Sequence, residues 1–437
     1  MYQFIDSVFG SVNKRSGILL QTPNRRSFGD CTNEMYYGLL KAKRENKKVL
    51  FIYPRSFLFK SIGFSVVNRE LFDLESAYIV PSKSFYGFFA GCLLSVYVFC
   101  LHLLHEIRSS DWIRRVFQLI WPAMEHDHGF TVPRIGRSAL WKPENINYFS
   151  WDVVDKQNWA KEHGTYTPPK LKESKRAYAE KIRAQLGILL SDWFVCLHAR
   201  GSESRPARNV SINNYIEGIK TITNAGGWVV RLGDREMAPL PVMERVIDYA
   251  HSSYKSELMD LYLISNCRFF LGHNSGPNVV ANLLKKPLLL VNMTDWSSGM
   301  LLKKGDLGIL KHVFSRSRNR FLGIKEMLEE PSMVQIYGEP IEDYELVENT
   351  PQEIRESIEE FLNRPDNYDH STLQKEFNET RKKELRRCLE KGEPGPDSMV
   401  RGVPEKDLFL ERYRIGAAVD TLGTLADAYL NKNWFKD

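Results

Sequence analysis

Short continuous apolar runs alternate along this chain with longer stretches of helical spacing, and the runs stop abruptly at Gly, Asn, Ser or Pro. Residues 16–22 (SGILLQT) read as a buried strand. The polar loop 23–30 leads to an amphipathic helix over 32–44, and residues 48–54 (KVLFIYP) form the next strand. Strand, helix and strand of this size make one βαβ unit with a parallel pair. Residues 77–80 (AYIV) read as a third strand.

A second series begins after a polar, Pro- and aromatic-rich stretch at 122–170. A charged helix over 171–186 precedes the strand 193–198 (WFVCLH), which ends in Ala199, Arg200 and Gly201. A helix over 212–223, closed by Ala225, Gly226 and Gly227, leads to the strand 228–234 (WVVRLGD). A helix at 259–266 then delivers the run 269–278 (FFLGHNSGPN), in which an apolar strand meets small and polar residues. Helical spacing over 279–284, Lys286-Pro287 and a further apolar run at 288–291 complete the order strand, loop, helix, strand. From residue 350 onward the pattern is helical, with an apolar helix expected over 415–430.

The alternation predicts an α/β protein with two doubly wound, Rossmann-like domains and extra C-terminal helices. The expected divisions are 1–160, 161–345 and a helical extension at 346–437. A length of 437 residues suits two cores, and 43% apolar with 26% charged residues describes a folded chain. The net charge of +6 fits anionic ligands or a membrane surface. Nucleic acid is not expected as a partner, because no helix-turn-helix, zinc-finger spacing or basic aromatic stripe occurs. The six cysteines show no C-x-x-C spacing, which points to neither a disulfide framework nor a zinc site and suits the cytoplasm. No secretory signal is read at the N-terminus.

One segment qualifies that picture. Residues 85–104 run for twenty positions without a charge, followed by Arg108, Arg114 and Arg115 with Trp112 and Trp121 nearby. In-plane docking on a membrane, a span and a buried helix all accommodate this pattern. A span would separate residues 1–80 from the rest, so docking on the inner face of the cell membrane is the expectation.

In a parallel sheet the carboxyl ends of the strands share one edge, so polar groups there converge on a ligand. His198 with Arg200, Arg231 with Asp234, and His273 with Asn274 and Ser275 all fall on such ends. Gly276 and Asn278 follow at a helix start, where free N–H groups attract anions. Arg200 is suited to fork onto phosphate oxygens. In the first series, Asp30 lies after the first strand and before a helix, where a carboxylate could act as general base; Glu34 is a second candidate. Each residue also has a structural use: a surface ion pair for Arg200, a core hydrogen bond for His198, a turn cap for Asp234, a helix cap for Asp30.

These motifs carry a resemblance. The stretch SFGDCTNEMYYGLLKAKR resembles the first loop and helix of GT-B glycosyltransferases, notably bacterial heptosyltransferases, whose Gly-Asp supplies the catalytic carboxylate. CRFFLGHNSGPNVVANLLKKPLLLVN is similar to their donor-binding segment, and LHAR to the His-x-Arg of fucosyltransferases with the same architecture, whose arginine holds the donor diphosphate. A group of bacterial glycosyltransferase-like proteins is similar over residues 16–300, including RNVSINNY, GGWVVRLGD and DYAHSSYKSELMDLYLISNCRFFLG. Asn274 and Asn278 stand where heptosyltransferases carry Asp and His, so heptose as donated sugar does not carry over.

What the resemblance implies is an inverting, metal-independent glycosyltransferase with Asp30 as base. The donor, a nucleotide-diphosphate sugar, would meet His198, Arg200, Arg208, Arg231, Asp234, His273, Asn274, Ser275, Gly276 and Asn278. Asn209 and Tyr215 would order the first loop or touch the donor, and Tyr249, His251 and Ser252 would approach the base or ribose. No cofactor is implied, and no Asp-x-Asp motif occurs to hold a metal. The acceptor would be a surface glycan or a lipid-linked glycan. A sugar-nucleotide epimerase of the same architecture and a non-catalytic sugar-nucleotide-binding protein on the membrane stay open at this point.

Overall fold

The computed structural model describes residues 17–21, 23, 28–53, 67–92, 95, 167–201, 206–294, 301, 303–329, 343–365, 368–391 and 423–435. Two compact units emerge, Met1–Glu144 with Pro169–Lys172, and Asn145–Pro168 with Glu173–Asp437. Within these expectations, loop positions 24–27, residues 93–94 and 96–104, the following Arg108, Trp112, Arg114, Arg115 and Trp121, and 122–166 lie outside the described residues.

In the first unit β1 (Ile18–Gln21) and β2 (Lys48–Phe51) pair in parallel, joined by α1 (Phe28–Arg44). This is the expected βαβ unit, except that the helix begins four residues earlier and takes Asp30 into its first turn. Helix and strands meet closely at Gly38, where a Cβ would come within 2.0 Å of Gln21 Oε1. The glycine thus admits the buried Gln21, whose amide donates to Glu34 O at 2.9 Å. Residues 77–80 form no strand: Ile79 makes an isolated parallel bridge to Val49. Residues 169–172 join this unit because Lys170 bridges Glu75 and Lys172 Nζ reaches the buried Asp73 at 3.0 Å.

The second unit is built on a seven-stranded sheet. Its strands are β3 (Phe194–His198), β4 (Trp228–Leu232), β5 (Val246–Ile247), β6 (Phe269–Gly272), β7 (Leu288–Met293), β8 (Leu307–Leu310) and β12 (Thr424–Leu425). The spatial order is β12-β8-β7-β6-β3-β4-β5, and every pairing is parallel. The chain winds outward from β3 through β4 to β5, then returns beside β3 as β6 and winds the other way. The second unit is therefore a doubly wound, Rossmann-like α/β fold, and its order reverses between β3 and β6. β3, β6 and β7 are buried at every position, as expected of central parallel strands covered on both faces.

The connecting helices include α2 (Glu173–Gln185), α3 (Ile216–Asn224), α4 (Glu257–Asn266) and α5 (Gly276–Leu283). Later come α6 (Ile324–Glu329), α7 (Pro351–Asn363), α8 (Thr372–Lys391) and α9 (Asp427–Asn433). A capping box of Thr350 and Glu353 with Pro351 in the first turn starts α7. α7 packs against α3 at Gly218, where a Cβ would lie 2.4 Å from Ile358 Cδ1. A three-stranded antiparallel sheet orders β10 (Arg320–Phe321), β9 (His312–Ser315) and β11 (Tyr344–Val347).

Of the helix expected over 415–430, residues 427–430 are helical as the start of α9, whereas Thr424 and Leu425 form β12; 415–422 lie outside the described residues. Thr424 and Leu425 pair with Leu307 and Gly308, so these residues extend the main sheet. Among the described residues no helix is long and apolar enough to cross a membrane.

Candidate functional site

The site is built where β3 and β6 leave the sheet side by side. Their register pairs Val195 with Phe269 and Leu197 with Leu271, so His198 and Gly272 end adjacent strands. Gly272 fits a tight space: a Cβ there would lie 2.6 Å from the Phe270 ring. Beyond them, the backbone N–H of Arg200 donates to His273 Nε2 at 2.9 Å. An acceptor role at Nε2 places the proton of neutral His273 on Nδ1. The His198 and His273 rings stack with centroids 5.7 Å apart, and Ser275 Oγ lies 3.2 Å from His198 Nδ1.

Neither imidazole carries charge near neutral pH. Burial pushes His198 down to about 4, with Asp234 opposing the shift and Arg231 and Arg200 adding to it. Burial also holds His273 well below the ordinary histidine range, reinforced by His198, Arg208 and Lys311. The half-buried Arg200 guanidinium is thus the positive group that the end of β3 itself brings to this edge.

The β6–α5 loop is held from several sides. Arg208, in the short 3-10 turn Pro206–Arg208, donates through Nε to Asn274 O at 2.9 Å. Thr294 N donates to Asn274 Oδ1 at 3.0 Å, and Asn278 Nδ2 to His273 O at 3.4 Å. Lys311 Nζ donates to Asn209 O at 2.8 Å, and Val210 N to Arg200 O at 3.0 Å. Asn274, Asn278 and Arg208 are all buried, so these bonds make them supports of the loop.

Ser275 is the N-cap residue of α5, yet its side chain makes no cap bond and turns to His198 instead. The first turn of α5, with Gly276 and Pro277, therefore has no hydroxyl over its amides. A helix start of this kind at the reversal point of a doubly wound sheet is the place where such folds take anionic ligands.

Other expected site residues are placed differently. Arg231 is 1% exposed and sits inside the fold, bonded to Asp248 Oδ1 and Ala238 O, both at 3.0 Å. Asp234 is exposed and lies 3.5 Å from Lys255 Nζ. Tyr249 is buried with its hydroxyl accepting from Ser256 N at 2.9 Å, and Tyr215 is buried with Asn292 Nδ2 3.5 Å from its hydroxyl. His251 binds Asp248 Oδ2 at 2.9 Å and the carbonyl of Arg235 at 3.0 Å. Asp30 and the buried Glu34 belong to α1 in the first unit.

Three residues of the second unit escaped the sequence reading. Thr294 directly follows β7, as Ala199 follows β3, and the same strand-end rule applied to VNMT would have found it. Lys311 interrupts an apolar strand run, a signal in itself. Asp260, on α4, is pushed up to about 6 by burial, with Lys255 and a bond from Tyr249 opposing; nothing in its helical context marks it out. Among the described residues no group of three or more His, Cys, Asp or Glu side chains is placed to hold a metal ion.

Neither a protein-family model nor a curated protein sequence matches the chain. Solved structures give distant similarities. A glycosyl transferase of family 9 from Veillonella parvula matches at 12% identity and a TM-score of 0.25, over 33% of this chain and 43% of that one. E. coli ADP-heptose LPS heptosyltransferase II matches at 13% identity and a TM-score of 0.33, covering 62% and 83%. A UDP-GlcNAc 2-epimerase from Methanocaldococcus jannaschii matches at 13% identity and a TM-score of 0.24, covering 84% and 75%. The Rossmann-like assignment of the second unit rests on its own strand order.

Proposed function

We propose that this chain is a metal-independent GT-B glycosyltransferase. It would move a sugar from a nucleotide-diphosphate sugar to a hydroxyl of a surface glycan or a lipid-linked glycan. The observation that carries the reading is the bond from the Arg200 backbone to His273, in the loop that opens α5, whose cap serine faces His198, at the sheet's reversal point. Both features suit a diphosphate: the guanidinium offers a fork to two oxygens, and the helix start offers oriented amides. The sequence resemblance of LHAR and HNSGPN to donor-binding segments points to the same ligand.

In this proposal the acceptor oxygen forms a bond to the anomeric carbon as the bond from that carbon to the diphosphate breaks. The nucleoside diphosphate leaves with the electron pair, and the acceptor proton passes to the Asp30 carboxylate. Negative charge grows on the leaving diphosphate, and prearranged donors at that point lower the barrier. The two neutral histidines keep the loop geometry without adding a titrating charge beside the phosphates.

A lipid-borne acceptor is supported by the aromatic run of the first unit. Phe85, Tyr86, Phe88 and Phe89 are 78%, 70%, 49% and 57% exposed, an arrangement suited to an interfacial surface.

The deciding experiment incubates the protein with UDP-, GDP-, CDP- and ADP-sugars, with and without bacterial lipid extract, and measures free nucleoside diphosphate and glycosylated lipid. Nucleoside diphosphate release coupled to lipid glycosylation is the expected result. An isomerised sugar nucleotide without release, or binding without any turnover across the panel, overturns it.

A further inference from the structure

The second unit holds a cavity of about 850 Å³ that the switch-point site does not use. Its wall includes Arg268 just before β6, Pro287 just before β7, Asp306 just before β8 and Thr424 at the start of β12. Because the strands all run parallel, their starts lie on the edge opposite His198 and His273. The far wall comes from the end of α7 and the approach to α8, with Phe361 and Tyr368 as its aromatic surfaces.

Among the described residues the charge of this lining is one-sided. Arg268, Lys285, Lys303, Lys304, Arg364 and Lys375 line the cavity, against the carboxylates of Asp306 and Asp369. Two of the cations are balanced locally: Lys303 Nζ lies 3.8 Å from Asp306 Oδ1, and Arg364 bonds Glu360 while stacking 3.9 Å from the Tyr368 ring centroid. Arg268 rests on the Trp193 ring at 4.5 Å. Lys304 and Lys375 are exposed at the rim, and among the described residues neither enters an ion pair.

Asp306 explains why the lysines stay there. It is 1% exposed and accepts from Leu288 N at 2.9 Å and Lys303 N at 3.0 Å, which pins the 303–306 turn against the sheet edge. The turn thus presents Lys304 beside the cavity from a fixed base.

We propose that this cavity is a second binding site, for a small organic phosphate. Its volume falls in the range of small-molecule sites, roughly 300–1,000 Å³. A concave surface with low-dielectric walls concentrates the field of its excess cations. Lysine ammonium groups suit a multiply charged phosphate, whereas one carboxylate would leave most of the positive charge unmatched. The aromatic wall supplies contact for the organic part of the ligand. This site stands apart from the proposed donor site and does not depend on it.

The test is titration calorimetry on the full chain at physiological salt, with glucose 1-phosphate and inorganic phosphate as probes. Glucose 1-phosphate is expected to bind more tightly than inorganic phosphate. The double substitution K304E/K375E should weaken its binding roughly tenfold or more, while R200A leaves this binding event at wild-type strength. Both lysines are exposed, so an unchanged thermal melt of the double variant establishes that it is folded. Absence of binding, equal binding of the two probes, or loss in R200A with retention in K304E/K375E overturns the proposal. Loss in K304E/K375E with no donor-sugar binding anywhere supports this site and overturns the donor-site reading instead.

Discussion

The backbone amide of Arg200 and the ring of His273 meet at 2.9 Å, tying the ends of two neighbouring parallel strands at the point where the sheet reverses its winding. The bond does two things at once. It satisfies an N–H that leaves the ladder, and it sets the backbone from which the Arg200 guanidinium projects. His273→Phe keeps a ring and removes the acceptor. Leaving that amide unpaired should cost roughly 1–3 kcal/mol, read in urea unfolding. His273→Gln, which retains an acceptor, should recover part of the loss; equal stability of the Phe variant and the wild type would refute the structural role.

The pH dependence of stability should carry the signature of His198. Its pKa is about 4 in the fold against an ordinary 6.5, so between these values the unfolded chain binds the proton and the folded chain does not. Stability from this group is complete above pH 6.5 and declines as pH falls toward 4. The span is on the order of 3 kcal/mol. Asp306, raised to about 6 from 3.8, acts in the opposite sense, its contribution declining as pH rises between those values. The difference between wild type and His198→Gln isolates the histidine, and a difference that is flat from pH 4 to 6.5 would contradict its neutral burial.

Much of the second unit was legible because its central strands are continuous apolar runs ended by polar or turn-forming residues. VCLH before Ala-Arg-Gly and FFLG before His-Asn-Ser-Gly-Pro each announce a buried strand and its exit, and both fall where expected. Gly226, with φ of 86°, closes α3 as the Ala-Gly-Gly run foretold. What escaped was set by contacts distant in sequence. Arg231 reads as a strand-end cation, yet its partner Asp248 lies seventeen residues on and turns it into a core ion pair. Asn274 and Asn278 read as ligand contacts because they stand in the loop motif; the fold adds a structural use, Asn274 Oδ1 accepting from Thr294 N and Asn278 Nδ2 donating to His273 O. β12 is two residues long, too short for any period, and exists only because Leu307 and Gly308 offer an edge.

Arg231 gives a prediction that separates scaffold from site. Its head group is bonded to Asp248 Oδ1 and Ala238 O, so truncation takes a charged donor from both, while Asp248 Oδ2 keeps its bonds to His251 and Leu240 N. Arg231→Ala should destabilise the protein by about 3 kcal/mol, the scale seen when one partner of a buried pair is removed. Arg231→Lys restores charge without the two-point geometry and should fall between. A thermal melt indistinguishable from wild type, together with weakened nucleotide binding, would return Arg231 to the ligand.

Arg200 supplies the sharpest test of the proposed donor site. Its amide is fixed by His273, so replacing the side chain leaves the backbone bond intact and the fold should hold. Arg200→Ala removes the fork meant for the diphosphate; charge-assisted bonds of that kind contribute roughly 1.5–3 kcal/mol each. The dissociation constant of the free nucleoside diphosphate should therefore rise about tenfold or more, with the circular dichroism spectrum of the folded chain retained. Arg200→Lys should recover only part, since one ammonium cannot span two oxygens. Asp30→Asn provides the complement: if it is the base, turnover falls by about two orders of magnitude or more while nucleotide affinity stays constant. Binding unchanged in Arg200→Ala removes the diphosphate from this edge of the sheet, and turnover unchanged in Asp30→Asn removes the base from α1.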